Sequence, residues 1–301
     1  MLFCCLTASS VDAQNEIRKD TFNFAQQLGY LYSHQDDAYT HPRGWWSLRT
    51  GALVYYTRKM ARVENPDWQR RTFVQLPGQL RVAPGDRIVL QVDSDLVAEW
   101  PRQDKHSWGG NSPRFRTKIG LLQEHDARPA LAMTVGVKFS SAKPTNIFED
   151  RHNYRDSNGL AGLGTGVADY FIVFHVGKRP ASDVTLNAHV GLAPLGDPTA
   201  YDRGSSQADE ILWGGTVDWT PGAWRVQVGA AGMSGVLTTT HLHHYAVARL
   251  QLGRRWQRRG RIELAINAER GLTWTSDDWV GGLLVTTEFR RERKFWRDET
   301  D

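Results

Sequence analysis

The sequence contains little cysteine, with only two residues among 301, at positions 4 and 5. Their segment, MLFCCLTASSVDA, is a short apolar run that ends in small residues at Ala13. This pattern is typical of a secretory signal, although a basic start is missing. We therefore expect a signal peptide over residues 1–13 that could extend upstream, and a mature chain that depends on no disulfide.

The sequence also lacks any long hydrophobic run. Although 40% of its residues are hydrophobic, no window approaches the roughly 20 apolar residues that a transmembrane helix needs. This excludes a helical inner-membrane protein. A transmembrane β-barrel remains open, because the alternating residues of its strands average out in any hydropathy window.

Neither sign of charge is in large excess, since 37 basic residues are interleaved with 33 acidic ones. Two basic clusters, RRWQRRGR at 254–261 and RRERK at 290–294, are interpreted as solvated turns or a tail. A nucleic-acid site would need a basic face with stacking aromatics, and the sequence offers no such motif. We therefore expect no nucleic-acid partner.

Apolar residues alternate with polar ones along most of the chain. In DRIVLQVDSDLVAEW (86–100), Leu90 and Leu96 share one parity, whereas Asp93 and Asp95 share the other. Successive side chains of a strand point to opposite faces, so this segment has one apolar and one charged face. Its 15 residues exceed the strand length of about 5–6 that is common in globular proteins. Alternation of this kind predicts twelve strands, at 46–61, 71–83, 86–100, 113–126, 129–141, 166–178, 182–194, 210–219, 223–235, 243–256, 260–270 and 279–290.

The connections between these strands alternate between long and short. The short ones carry turn residues, as in Pro84-Gly85 and Pro221-Gly222, and the longest is a 24-residue loop at 142–165. Outer-membrane barrels combine an even number of strands with short periplasmic turns and longer extracellular loops. The pattern predicts an all-β fold, a closed antiparallel transmembrane β-barrel of about twelve strands over residues 46–290, in the bacterial outer membrane.

Two segments flank the predicted barrel. Residues 14–45 include DTFNFAQQLGYLYSH, which fits a short helix. A periplasmic segment, a plug in the lumen and an extra strand all remain open for these residues. Residues 291–301 are interpreted as a C-terminal tail.

Tryptophan is abundant, with twelve residues. Amphipathic rings collect where lipid meets water, so tryptophans at strand ends predict aromatic girdles on the lipid-facing side of the barrel. The residues at or near predicted strand ends are Trp46, Trp100, Trp219, Trp224, Trp256 and Trp279.

The strand parity places a set of charged residues in the lumen. A hairpin register that opposes Trp100 to Pro113 would also oppose Glu99 to Arg114 and Asp95 to Lys118. Opposite charges across strands stabilise a sheet by roughly 0.2–1 kcal/mol each, so an ion-pair ladder that braces the wall is the favoured interpretation. A charged constriction that selects solutes is the alternative. The predicted lumen or constriction residues are Asp93, Asp95, Glu99, Arg114, Arg116, Lys118, Lys138, Asp169, Arg225, Arg249 and Glu263. Their mixed signs predict a polar lumen without preference for anions or cations.

Three short motifs could suggest other chemistry. HLHHY places His241 and His243 on one strand face, a spacing that could bind a metal, but no Cys or carboxylate partner is near. Ser234 with either histidine could serve a lipase, in which a base activates the hydroxyl; a chance pairing is the better interpretation. GLGTG at 162–166 lacks the Lys-Ser/Thr of a phosphate loop and opens a strand. We expect no cofactor and no metal.

One part of the chain resembles a known family. PALAMTVGVKFSSA (129–142), a loop and GLGTGVADYFIVFHVGKR (162–179) carry Val137-Lys138 followed by Gly164, Gly166 and Asp169. This order is similar to the bacterial outer-membrane family named for the MetA pathway of phenol degradation, and VTLNAHVGLAPLGDP is similar to that family's following strand. The resemblance implies an outer-membrane barrel that admits aromatic or other hydrophobic compounds, and it brings no catalytic residues.

These patterns predict a porin-like channel or transporter, with bilayer lipid and small-molecule solutes as its partners. Solutes would diffuse past a polar lumen shaped by the long loops at 142–165 and 195–209. Two alternatives stay open. An outer-membrane enzyme acting on lipid needs a Ser/His/acid cluster at the lipid-facing rim. A structural or adhesive barrel would bind partners through its loops, where Trp108, Tyr154 and Tyr201 lie.

Overall fold

The structure of the protein is a computed structural model. It describes residues 37–57, 71–100, 107–110, 113–139, 169–193, 210–235, 244–257, 260–273 and 279–290. Among these residues no helix is long and apolar enough to span a membrane.

The described residues form thirteen strands, and every pairing between them is antiparallel. The strands are β1 (Trp45–Thr57), β2 (Arg71–Gly85), β3 (Ile88–Trp100), β4 (Ser107–Gly110), β5 (Arg114–Leu122), β6 (Ala130–Lys138), β7 (Asp169–Ala181), β8 (Val184–Ala193), β9 (Glu210–Trp219), β10 (Trp224–Gly235), β11 (His244–Gln257), β12 (Arg261–Gly271) and β13 (Trp279–Arg290).

Twelve of these strands close into a barrel. Each pairs with its neighbours in chain order, β3 continues to β5, and β13 returns to β1. Short strand β4 pairs with the far end of β3. Closure leaves no unpaired edge between these twelve strands, as lipid requires. The predicted closed antiparallel barrel of twelve strands is therefore confirmed, and β4 is the one addition, within a stretch predicted to be a loop.

The barrel is apolar outside and polar inside. In β3, Leu96 is 50% exposed whereas Asp93 is fully buried at 0%, as the alternation in this segment predicts. The same arrangement recurs around the barrel. Exposed large hydrophobic residues include Leu48, Leu80, Leu90, Phe115, Phe174, Val190, Leu250, Ile266 and Leu283. A continuous apolar surface of this extent is unlike that of a soluble monomer and fits a lipid environment.

The strand ends differ from the predicted ones mainly at the short turns. The predicted fourth strand continues to residue 126, but β5 ends at Leu122. An isolated bridge between His125 and Arg128 closes a tight turn instead, in which Asp126 has a positive φ of 48°. At Pro221-Gly222 the glycine has a φ of 59°, a conformation that glycine adopts without a Cβ penalty. The barrel thus has a short-turn end and a loop end.

The tryptophans predicted to form girdles lie at strand ends and point outward where their side chains are described. Trp46 stacks on Phe289 with ring centroids 4.4 Å apart, which ties the first strand to the last. Trp219 donates from its indole nitrogen to Asp183 at 2.9 Å. The exposed ones are Trp46, Trp219, Trp224, Trp256 and Trp279. Trp100 ends β3, and its side chain lies outside the described residues.

Candidate lumen site

Strand alternation carries most of the predicted lumen residues to the inner face. The buried ones are Asp93, Asp95, Arg114, Arg116, Lys118, Lys138, Arg249 and Glu263. Arg225 faces the same way and is 13% exposed. Glu99 and Asp169 lie in β3 and β7, but their side chains lie outside the described residues.

The predicted register between β3 and its partner is wrong. The structure opposes Asp93 to Arg114, and Glu99 pairs instead with Ser107 of β4. The cause is β4, which occupies the end of β3 and moves β5 toward the short-turn end. The displacement is an even number of residues, so the same side chains still face inward.

Ion pairs nevertheless brace this wall. Arg114 Nη2 lies 2.5 Å from Asp95 Oδ2, and Arg116 Nη2 lies 3.0 Å from Asp93 Oδ2. Each pair joins neighbouring strands diagonally and replaces the predicted pairs of Glu99 with Arg114 and Asp95 with Lys118. Lys118 instead donates to Asp37 Oδ1 at 3.0 Å.

Glutamine side chains add hydrogen bonds to the two aspartates. Gln79 and Gln91 each donate to Asp93 Oδ1 at 2.8 Å. Gln75 donates to Asp95 Oδ2 at 2.8 Å. Buried carboxylates are tolerated when ion pairs and hydrogen bonds act on them together, and each aspartate has at least one of both kinds.

A second ionic cluster lies across β9–β12. Arg225 pairs with Asp218 and lies 3.3 Å from Glu263 Oε1, while Arg255 Nε donates to Glu263 Oε2 at 2.8 Å. Nearer the loop end of β11 and β12, Arg249 Nη2 lies 2.5 Å from Glu269 Oε1.

The buried charges are divided unevenly around the lumen. Among the described strand residues of β1–β6, six buried side chains are cationic and two are acidic. We call the six cations the cationic wall: Arg49, Arg81, Arg114, Arg116, Lys118 and Lys138. On β7–β13 three buried side chains are acidic and one is cationic, and the half-buried Arg225 and Arg255 pair with two of these acids. The expectation of a lumen without charge preference treated the inward charges as one set, and it stays a prediction.

The lumen also contains an apolar surface that strand alternation did not predict. We call it the apolar wall: Phe171, Val173, Ala193, Leu212, Ala231 and Met233, all buried near the loop ends of β7–β10. Register makes it continuous, since Val173 opposes Gly191, Gly191 opposes Leu212, and Leu212 opposes Met233. In the sequence, DYFIVFHV at 169–176 fits an apolar inner face on this strand, because apolar residues occupy both parities.

Residues 37–44, which we call the mouth segment, lie across the short-turn end. Tyr39 donates its hydroxyl to Glu124 Oε2 at 2.6 Å, and Thr40 donates to the Asp86 carbonyl at 2.7 Å. Lys118 Nζ donates to the Asp37 carbonyl at 2.7 Å. Only residues 37–45 of the range 14–45 are described, so the three alternatives for that range stay open.

The environment of the mouth segment changes the acidity of its side chains. Burial raises the pKa of Asp37, but the charges of Lys118 and His41 outweigh it and bring the pKa to about 2. The Tyr39 hydrogen bond and the Arg179 backbone N–H hold the pKa of Glu124 at about 2. Burial, followed by the charge of Arg81, lowers the pKa of His41 to about 3. At neutral pH both carboxylates are therefore charged and His41 is neutral.

The residues singled out for other chemistry do not form a site in the described part of the chain. Ser234 accepts a hydrogen bond from Trp213 Nε1 at 3.4 Å, and its cross-strand partner is His244. His241 and His243 lie outside the described residues, as do Tyr154, Tyr201 and the GLGTG segment. The described residues include no group of three His, Cys, Asp or Glu side chains that could hold a metal.

The fold of this chain is similar to that of a solved outer membrane channel. Among solved structures the barrel is similar to the COG4313 outer membrane channel from Pseudomonas putida F1, with a TM-score of 0.58 and 12% identity over 85% of this chain and 99% of that one. The fold is that of an outer-membrane β-barrel. At this identity the likeness extends to the fold alone.

Two further barrels are more distant. Outer membrane phospholipase A from Escherichia coli gives a TM-score of 0.39 and 10% identity over 85% of this chain and 99% of that one. The Ralstonia pickettii toluene transporter TbuX gives 0.40 and 7% over 84% and 90%. Neither score is high enough to carry an argument. No family model and no curated protein matches the chain, so the resemblance to the MetA-pathway family stays a prediction.

Close packing at Gly136 gives a stability prediction for the barrel wall. A Cβ at this position would lie 2.1 Å from Phe171 Cζ. The Phe171 ring can therefore occupy its place only because residue 136 is a glycine. We expect Gly136→Ala to lower the free energy of unfolding by about 1–3 kcal/mol through overpacking. Gly281→Ala is the matched control, because its Cβ would meet nothing within 4 Å. Urea unfolding followed by tryptophan fluorescence measures both, and equal losses in the two variants would contradict the packing argument.

Proposed function

We propose that this chain is a passive channel or transporter for small molecules in a bacterial outer membrane. The observation that carries the proposal is the lumen, where charged side chains line the inner face of a closed barrel whose outer face is apolar. A structural barrel needs no such wall of buried charge, and buried ion pairs are weak stabilisers compared with apolar packing. The similarity in fold to an outer membrane channel agrees with this proposal.

The proposed route runs along the barrel axis. The short-turn end faces the periplasm and the loop end faces outward, as in other barrels of this class. Open aqueous channels are known in barrels of about 16–18 strands, so twelve strands leave a narrow path. The mouth segment narrows it further at the periplasmic end, and we expect a small conductance.

The apolar wall supports a narrower proposal about the solute. Six buried apolar side chains lie together on the lumen face of β7–β10. Binding sites for small molecules are lined mainly by hydrophobic and aromatic side chains. We therefore assign the channel to small molecules with a hydrophobic or aromatic part, in agreement with what the family resemblance implies.

Single-channel recording of the purified full chain in a planar bilayer tests the proposal. We expect discrete, salt-dependent current steps and a reversal potential that indicates anion preference, since buried cations outnumber buried acids on β1–β6. Arg49→Gln, which removes one buried cation, should reduce this preference. Arg254→Gln, which removes an exposed cation above the Trp224 ring, should not.

The uptake of solutes into liposomes provides a second readout. Absence of both conductance and uptake from a correctly folded, membrane-inserted protein would contradict the transport proposal. Uptake of a hydrophobic solute without ionic current would instead support a route for apolar molecules.

A further inference from the structure

The cationic wall and the apolar wall meet where β5, β6 and β7 lie side by side. Register opposes Arg114 to Lys138, and opposes Arg116 to Gly136, which in turn opposes Phe171. Because Gly136 has no side chain, the Phe171 ring packs over its Cα position. An aromatic surface therefore borders two buried guanidinium groups.

The two aspartates at this junction already accept hydrogen bonds from protein side chains. Asp95 accepts hydrogen bonds from Arg114 and Gln75, and Asp93 accepts them from Arg116, Gln79 and Gln91. Within the part of the chain that the structure describes, Nε and Nη1 of Arg114 are buried without a hydrogen-bond acceptor. An unsatisfied buried donor is costly, and a charged one more so.

Arg114 also faces a like charge across the strand pair. Lys138 is its direct partner, and both side chains are buried. Like charges directly opposite each other destabilise a sheet. Lys138 has Asp169 as its register partner on β7, and Arg114 has Asp93 as its register partner on β3. Asp93 accepts hydrogen bonds from Arg116, Gln79 and Gln91. Among the described residues Nε and Nη1 of Arg114 remain without an acceptor, so Arg114 is the group best placed to bind an anion.

We propose that this junction binds an amphiphile with an anionic head, such as an aromatic carboxylate. The carboxylate accepts hydrogen bonds from Arg114 Nε and Nη1, an arrangement that suits the planar guanidinium group. The apolar body lies on Phe171 and continues along the apolar wall toward Val173 and Leu212. This inference rests on the proposed transport function and assigns its solute class and its binding residue.

The test compares two probes of the same shape and different charge, 1-naphthoate and 1-naphthalenemethanol. Binding to the full chain in detergent micelles is measured by calorimetry, with empty micelles subtracted. We expect the wild-type protein to bind the carboxylate about tenfold more tightly than the alcohol, the ratio that about 1.4 kcal/mol of additional interaction produces. Equal affinities would overturn the proposal.

Substitutions locate the site. Arg114→Gln should abolish the preference for the carboxylate, and the matched control Arg254→Gln on the outer face should retain it. If Arg114→Gln does not fold, the pair Arg114→Gln with Asp95→Asn removes both charges together and leaves no uncompensated buried ion. A preference that survives in either folded variant would overturn the assignment to Arg114.

Phe171→Leu tests the apolar part of the site. It should weaken the binding of both probes by a similar factor, because the ring contacts the part that they share. Unchanged affinity for both would contradict the placement of the aromatic body. Binding in micelles does not require conduction, so the two proposals can fail separately. A protein that prefers the carboxylate but conducts nothing would refute the transport proposal alone. A conducting channel that does not prefer the carboxylate would refute this inference alone.

Discussion

Replacing Asp93 by alanine is expected to lower the free energy of unfolding by about 3–5 kcal/mol, the range for removing one partner of a buried ion pair. Asp93 is 0% exposed and accepts hydrogen bonds from Arg116 Nε, Gln79 and Gln91. Its removal leaves the guanidinium group of Arg116 buried without that carboxylate and deprives two amides of their acceptor. Urea unfolding of the refolded protein, followed by tryptophan fluorescence, measures the loss.

A similar ion pair in a more exposed place provides the control. Arg261 and Glu288 also join neighbouring strands, at 2.6 Å, but their side chains are 38% and 16% exposed. Glu288→Ala should therefore cost no more than about 1 kcal/mol, as exposed pairs do. The double variant Asp93→Asn with Arg116→Gln, which leaves no buried charge at this place, should lose less than Asp93→Ala. If Asp93→Ala and Glu288→Ala lost equal stability, burial would not be what makes the lumen pair important.

Strand parity predicts which face of the barrel these residues occupy, and not how deeply each one is buried. Parity identified Asp93 and Arg116 as lumen residues, because the inner and outer faces of a membrane barrel differ so strongly in polarity that each side chain has only one acceptable side. The same alternation, together with long and short connections, was sufficient for the closed barrel of twelve strands.

Register could not be predicted in the same way. Any even displacement preserves which side chains face inward, so the pattern permits several registers between β3 and β5. The observed one depends on β4, whose four residues, Ser107–Gly110, pair with the end of β3. Such a short, glycine-containing strand has too few alternating residues to be distinguished from a loop.

The apolar wall was missed for a related reason. Alternation assumes a polar lumen, and it therefore has no place for inward residues such as Leu212 and Met233. Where both parities are apolar, as in β7, periodicity alone cannot separate an apolar inner face from ordinary strand composition. The position of these residues on adjacent strands, which makes them one surface, is a property of the register.

The mouth segment gives the second prediction with a large effect, a conductance that rises as the pH falls from 7 toward 4. His41 stacks on Trp45 with ring centroids 3.5 Å apart, and its pKa is about 3 because of burial and the charge of Arg81. Released from the mouth, the same imidazole would titrate near its ordinary value of about 6.5. The released form therefore binds more protons, so each pH unit below about 6.5 shifts the equilibrium toward release by up to about tenfold.

Asp37 titrates over a lower pH range than His41, so the effects of the two groups can be separated. Its pKa is lowered to about 2 with the Lys118 contact in place, so its stabilising contribution is complete above the ordinary aspartate value of about 4 and is lost as the pH falls toward 2. Between pH 6.5 and 4 the change should therefore come from His41, with Arg81 and Lys118 as the neighbouring cations that oppose its protonation.

His41→Phe is the decisive variant, because it keeps an aromatic ring for Trp45 and cannot be protonated. We expect this variant to lose the rise in conductance between pH 6.5 and 4, while the wild-type channel shows it in the same bilayer and salt. Asp37→Asn, which loses the ionic contact with Lys118, should instead raise the conductance already at pH 7. A rise of equal size in wild-type and His41→Phe channels would assign the pH response to the lumen itself and would show that the mouth segment does not control access at the short-turn end.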